Sequence, residues 1–424
     1  MNRNILTLVV VAALGYFVDI YDLILFNVIK KESLSDLFPH LSPSQVTETG
    51  IKLFNIQMIG MLCGGVLWGI WGDKKGRISV LFGSIFLYSF ANVANAFVSD
   101  LNTYAVIRFV AGIGLAGELG AGITLVAESM PTRKRGIGTM IIVTFGALGA
   151  VAAGLVGSYG AWLSGFLAEQ FAVMLSSWQI AYLIGGLMGL LLLFLRIGAL
   201  ESEMYHSMKQ IKTARSGDLR LLFASKKNAL KYLSCILVGV PIWYAIGLLI
   251  ANSEEIFAPA IGIQGRVVNG KALMFAYIGL SVGDFVSGLL SQFLESRKKV
   301  VLIYLALSLV LSVYYLFFSS NLSVSQFYWL CFGIGFATGY WAIFVTIASE
   351  QFGTNIRSTV ANTVPNIVRG SVPLVMTIFG VLLGFLAALW SAFWVGLVII
   401  VVAALAILYL DETFSKELDY LEEA

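Results

Sequence analysis

Apolar stretches of about 20 residues recur about twelve times along this chain, and one helical crossing of a bilayer needs a stretch of that length. They fall at roughly 4–29, 49–71, 78–98, 103–127, 137–164, 178–198, 228–251, 272–294, 299–318, 325–349, 359–385 and 388–410. Polar, basic seams such as "GDKKGR", "PTRKRG" and "ESRKK" separate them. Composition agrees: 58% of residues are hydrophobic and only 12% charged, where a soluble domain is about a quarter charged. The pattern predicts an all-α protein embedded in lipid.

The longest polar seam, 199–227, divides six stretches from six. This predicts an N-terminal six-helix bundle over 1–198, a cytoplasmic linker over 199–227, a C-terminal six-helix bundle over 228–410 and a cytoplasmic tail over 411–424. Basic residues set orientation. With a cytoplasmic N-terminus, Lys74, Lys75, Arg77, Arg133, Lys134, Arg135, Lys226 and Lys227 fall on the cytoplasmic side, against Lys30, Lys31, Arg266 and Lys271 outside. Both termini are therefore expected in the cytoplasm. The first span is expected to be retained, because the apolar helix runs on past Asp19 and Asp22 with no small-residue cleavage site. Cys63, Cys235 and Cys331 lie in apolar stretches and read as packing residues. His40 and His206 stand far apart, so no metal site and no cofactor are expected.

The halves repeat. "AESMPTRKRG" carries Glu128 and Arg135, and "ASEQFGTNIRS" carries Glu350 and Arg357, both pairs seven residues apart at the end of the fourth span of a half. Upstream sit "GIGLAG" at 112–117 and "GIGFATG" at 333–339. Small residues there let helices approach closely. Twelve spans in two parallel repeats imply a central cavity between halves, a transporter arrangement.

These motifs resemble the major facilitator superfamily. In "GIWGDKKGR", residues 69–77, Gly69, Asp73, Lys74, Gly76 and Arg77 match its G-x-x-x-D-[RK]-x-G-[RK]-[RK] signature, with Ile78 in place of a second basic residue. The run Arg108–Gly136 is similar to R-x-x-x-G-x-G-x-G…E-x-x-P-x-x-x-R-G of the sugar-porter and metabolite:proton-symporter branches, with Ala116 at the third glycine. "DIYD" resembles a D-x-x-D in the first helix of organic-acid proton symporters, and "DETFSKELD" resembles their C-terminal ending. The resemblance implies two six-helix bundles around a central cavity and alternating access. It also implies a cytoplasmic latch in which Asp73, Arg77, Glu128 and Arg135 cluster, with Glu350 and Arg357 forming a second cluster.

Charges within apolar spans are expensive and point to function. At about 1.5 Å per residue, Asp19 and Asp22 lie about 22 and 27 Å along the first helix, and Arg108 lies about 9 Å into the fourth, at the depth of Asp22. Asp22 and Arg108 are thus expected to pair, and protonation of Asp22 to release the arginine: a proton-coupling switch, with Asp19 as a second candidate. Asp284 and Arg369, about 18 and 15 Å deep, lie near the midplane. Arg369 could pair with Asp284 or receive a substrate carboxylate. Glu118 reads equally as a cavity acid or a packing residue. Asn55, Gln57, Trp243, Tyr244, Tyr340, Trp341, Asn362 and Asn366 are further candidates for lining a site for a small polar organic solute.

The leading expectation is a monomeric, proton-coupled symporter in the bacterial cytoplasmic membrane, importing a small organic acid or related metabolite, with no nucleic-acid partner. The rival is a proton antiporter exporting an amphipathic or cationic compound. A non-transporting sensor on the same fold is a third possibility. No phosphate loop, zinc pattern or nucleophile motif points to an enzyme.

Overall fold

The computed structural model describes residues 3–130, 135–172, 174–200, 218–353 and 355–414, with the side chains of 3–8, 127–129, 135–137, 147, 158, 197–200 and 219 outside the description. Among the described residues, 12 helices are long and apolar enough to cross a membrane. In chain order they are α1 (Val9–Leu37), α2 (Pro43–Lys75), α3 (Arg77–Asn95), α4 (Leu101–Val126), α5 (Gly138–Gly157), α6 (Ser177–Arg196), α7 (Lys226–Ile250), α8 (Asn269–Phe293), α9 (Arg297–Phe317), α10 (Val324–Glu350), α11 (Arg357–Leu383) and α12 (Ala388–Tyr409). All twelve expected spans are present, and the first runs longer than the apolar pattern alone suggests, to Leu37.

Sequence signals start and stop these helices. Ser42 and Ser323 each close a capping box with a glutamine three residues on, at the starts of α2 and α10. Such boxes satisfy donors that a helix start leaves open. Gly76, at φ +94°, makes the turn from α2 into α3, a backbone conformation that an L side chain rarely adopts.

The repeated glycine motifs do more than pack. Helix α4 is interrupted between Leu115 and Glu118, and α10 between Ala337 and Trp341. Each break falls at the end of "GIGLAG" or "GIGFATG". The freed carbonyls are satisfied by neighbouring helices. Trp68 Nε1 donates to Ile113 O at 2.7 Å and Asn366 Nδ2 to Ala116 O at 2.8 Å, while Ser308 Oγ donates to Ala337 O at 2.8 Å. Helix α11 restarts at Val372, and α7 passes through Pro241 into a π-helical stretch, Tyr244–Ile250.

The halves meet along two seams. In one, α2 presents Gly65, Gly69 and Gly72 to α11, where an added Cβ would fall 2.8, 2.9 and 2.4 Å from Asn366, Thr359 and Ser358. In the other, α5 lies on α8, with Ser281 Oγ donating to Thr144 O at 3.2 Å.

Candidate functional site

Helix α1 carries both first-helix aspartates, and they face different ways. Three residues rotate a helix by about 60° from eclipse. Asp19 therefore looks across the interface between halves, to α11. Its Oδ2 lies 3.6 Å from Arg369 Nη2, and both side chains are buried. Arg369 Nη2 also donates to Tyr16 Oη at 3.3 Å, and its guanidinium lies 5.4 Å from the Trp341 ring centroid. A cation over an indole face is stabilised by the ring quadrupole. Asp19, Tyr16, Trp341 and Arg369 thus make one buried constellation drawn from both halves.

Asp22 turns instead into the N-terminal bundle. A Cβ on Gly185 of α6 would fall 2.5 Å from its Oδ1. Among the described residues no cationic side chain lies within 4.0 Å of Asp22. Arg108, expected as its partner, is engaged elsewhere. It donates to Gln57 Oε1 and, at 3.5 Å, to Tyr182 Oη, and lies 4.2 Å over the Phe26 ring. Equal depth is not equal azimuth, and in this arrangement the two do not pair.

Asp284 does not pair with Arg369 either. Its Oδ1 accepts from the Ala342 backbone N–H at 2.9 Å, at the first turn of the second segment of α10. A carboxylate there meets the positive end of the helix dipole. Glu118 is not a free cavity acid. It forms an ion pair with Arg196 of α6, whose Nη1 also donates to Glu118 Oε2 at 3.1 Å and to Leu81 O at 2.9 Å. Gly15 makes room for the pair: a Cβ there would collide with both side chains.

Several other expected site residues make hydrogen bonds within the protein. Tyr244 Oη donates to Ala392 O at 3.0 Å, and Tyr340 Oη to Val238 O at 3.0 Å. Asn362 Nδ2 donates to Ser358 O at 2.9 Å within α11, and Asn366 bridges to α4. Asn55 is half-buried. Trp243 lines a small, mostly apolar chamber between the halves with Leu23, Ile24, Asn27, Phe54 and Leu273.

Charged contacts join the two halves at both ends of the molecule. At one end Asp73 of α2 caps α11 of the other half. Its carboxylate accepts from the Ser358 and Thr359 backbone N–H groups at 3.2 and 2.8 Å and from Thr359 Oγ1 at 2.5 Å, and Arg77 lies 3.4 Å away. Lys74 and Lys75 are exposed beside it. The side chains of Glu128 and Arg135, expected in this cluster, lie outside the description. In the second half Glu350 forms an ion pair with Arg297, and Arg357 is buried at the start of α11. At the opposite end Lys31 Nζ lies 2.9 Å from Glu254 Oε1 and 3.5 Å from Glu255 Oε1, and Lys30 Nζ lies 3.8 Å from Glu255 Oε1. Burial raises the Glu254 carboxyl, but the hydrogen bonds from Lys31 and the Asn269 N–H outweigh it and hold it below the usual range.

Sequence reasoning missed Tyr16, Arg196 and the Lys30–Glu255 group. Arg196 gave a signal: it stands in "LLLLFLRIG", an arginine closing an apolar span. Tyr16 gave none beyond its place three residues before Asp19.

Twelve helices in two six-helix bundles, with charge pairs between them, make the architecture of a membrane transporter. The sequence profile of the Major Facilitator Superfamily matches residues 12–361, and the chain belongs to that family. It is a membrane transporter and not an enzyme. It is similar, at 26% identity over 76% of each chain, to a Bacillus subtilis (strain 168) protein provisionally named a niacin/nicotinamide transporter. It is also 26% identical to the 3-(3-hydroxy-phenyl)propionate transporter of Escherichia coli (strain K12), over 73% of this chain and 72% of that one. Among solved structures, the proton:xylose symporter XylE with 6-bromo-6-deoxy-D-glucose bound shares the fold at a TM-score of 0.72 and 17% identity, over 98% of this chain and 97% of that one.

Proposed function

We propose that the protein is a proton-coupled symporter that imports a small organic acid, and that Asp19 and Arg369 couple the two fluxes. The observation that carries this is the buried Asp19–Arg369 pair across the halves. In the closed state Asp19 occupies the arginine that a substrate carboxylate would need. Protonation of Asp19 removes its charge and releases Arg369 to hold the incoming carboxylate, with Tyr16 and Trp341 framing it. The chamber beside Trp243 measures only about 10 Å³ here, room for about one water; widened as the halves part, its apolar lining suits the hydrocarbon or ring portion of such a solute. One relative is named for niacin/nicotinamide and another for an arylpropionate, and the acids among these support a small carboxylate. Asp22, buried nearby, is a second protonatable station, and Arg108 is a positioning group held by Gln57.

The lysine and arginine bias supports an orientation with the Asp73 end in the cytoplasm and Lys30 outside, in a bacterial cytoplasmic membrane. The bundles are assigned to 1–198 and 228–410, joined by a cytoplasmic 199–227 linker, and the transporter acts as a monomer. The test is uptake of nicotinate, 3-(3-hydroxyphenyl)propionate and benzoate into proteoliposomes, with and without an inward proton gradient. Gradient-driven accumulation of at least one acid is expected. Accumulation of none, or accumulation indifferent to the gradient, contradicts the reading.

A further inference from the structure

The stripe of α1 that carries Asp19 continues to Leu23 and Lys30. Eleven residues separate Asp19 from Lys30, about three turns and about 16 Å along the helix, with an offset of only about 20° around it. The apolar chamber lies between, lined by Leu23, Ile24 and Asn27 of the same helix. At each end of this stretch the same arrangement recurs: a cation of one half is covered by a carboxylate of the other. Arg369 of the C-terminal half is covered by Asp19 of α1. Lys30 and Lys31 of α1 are covered by Glu254 and Glu255, which follow α7.

The cover at the lysines is uneven. Glu254 is fixed, because its Oε2 also accepts from the Asn269 backbone N–H at 3.0 Å. Glu255 is held more loosely: its Oε1 lies 3.5 Å from Lys31 and 3.8 Å from Lys30, and neither Glu255 oxygen has a hydrogen-bond partner among the described residues although both are buried. Lys30 itself is only 5% exposed, its stem against Gly50 of α2. A buried ammonium without a tight partner is costly, and an arriving carboxylate can replace a loose one at little cost.

We infer that Lys30 and Lys31 form an admission site for the carboxylate of an organic acid, which Glu254 and Glu255 fill when the protein is closed. As the halves part and the chamber widens, the solute passes its apolar part along that lining and its carboxylate on to Arg369, where Asp19 plays the same covering role. This rests on the carboxylate reading of the central site. It adds a second cationic station and two covering acids.

A plain clasp and an admission site differ in one measurable way. Lys30→Gln/Lys31→Gln and Glu254→Gln/Glu255→Gln both undo the ion pairs. If the group is only a clasp, the two double variants shift KM in the same direction. If it is an admission site, they shift it in opposite directions. The probes are nicotinate, 3-(3-hydroxyphenyl)propionate and benzoate, with nicotinamide as the uncharged comparison. For whichever acids the wild type transports, the lysine variant is expected to raise KM by on the order of tenfold, and the effect should shrink at high salt. The glutamate variant is expected to lower KM. Nicotinamide should distinguish neither variant from wild type. Parallel shifts, or no shift, overturn the admission site and leave the central site standing. If the wild type takes up none of the three acids, the carboxylate reading itself fails, and the admission site with it.

Discussion

A buried charge is tolerable only with its partner, and Glu118 and Arg196 are the plainest case in this molecule. Both are at most 1% exposed and face each other inside the N-terminal bundle. Glu118→Ala leaves the Arg196 charge buried and alone, and should cost about 3–5 kcal/mol of stability. Replacing both by leucine and methionine should cost much less. Thermal unfolding of the purified protein in detergent reads this, and equal losses in the single and double variants would contradict it. Glu254 makes a second prediction. Its carboxyl is held below the usual range of about 4.3, so its contribution is present above that range and lost only as pH falls through the depressed value. The stability difference between wild type and Glu254→Gln should therefore stay constant from about pH 8 to pH 5 and shrink below about pH 4. A difference that changes between pH 5 and 8 would count against this. The same residues show what was legible. Rise per residue gave the depths of Asp19, Asp22 and Arg108, but a three-residue step also turns the side chain, and the sequence does not say which neighbour stands on each side. Asp22 was thus matched to an arginine at its own depth, whereas Asp19 was the one facing the other half.

Helix breaks and helix contacts belong to the next scale. The glycine motifs at 112–117 and 333–339 were readable as close packing, and that is part of the truth: a Cβ on Gly114 would fall 2.6 Å from Tyr88 N, and one on Gly335 1.8 Å from Ala276 O. The interruptions themselves were not readable, because hydrogen bonds from Trp68, Asn366 and Ser308, distant in sequence, support them. The motif pointed to Asp73, but not to the group it meets, the N-terminus of α11. Asp73→Asn keeps the shape and removes the charge that favours that helix end. Loss of one charged capping contact is worth about 1–2 kcal/mol, enough to shift an open-closed equilibrium roughly tenfold. A cysteine placed at Ser358 should then react faster with a membrane-impermeant maleimide in inside-out vesicles. An unchanged rate would show that Asp73 does not hold this end shut. Gly69→Val tests the same seam by bulk, since a Cβ there would fall 2.9 Å from Thr359 Cα; it should raise the labelling rate as well.

At the scale of the whole molecule, the joined ends and the buried charges form one system. The Asp73 cap, the Asp19–Arg369 pair and the Lys30–Lys31–Glu254–Glu255 group all join the two halves. Opening either end must give up some of these contacts, and a protonated aspartate or a bound carboxylate can replace what is lost at the centre. Such a ligand changes the balance of states only through its different affinity for them. The coupling site can therefore be located by separating net transport from exchange. Asp19→Asn keeps the size of the side chain and holds it uncharged. In proteoliposomes carrying this variant, equilibrium exchange of a transported acid should persist, because exchange needs no net proton movement. Accumulation driven by an inward proton gradient should be lost, and adding the acid should no longer draw protons into the vesicle. Asp19→Asn with undiminished gradient-driven accumulation and undiminished acid-induced proton uptake would contradict the account.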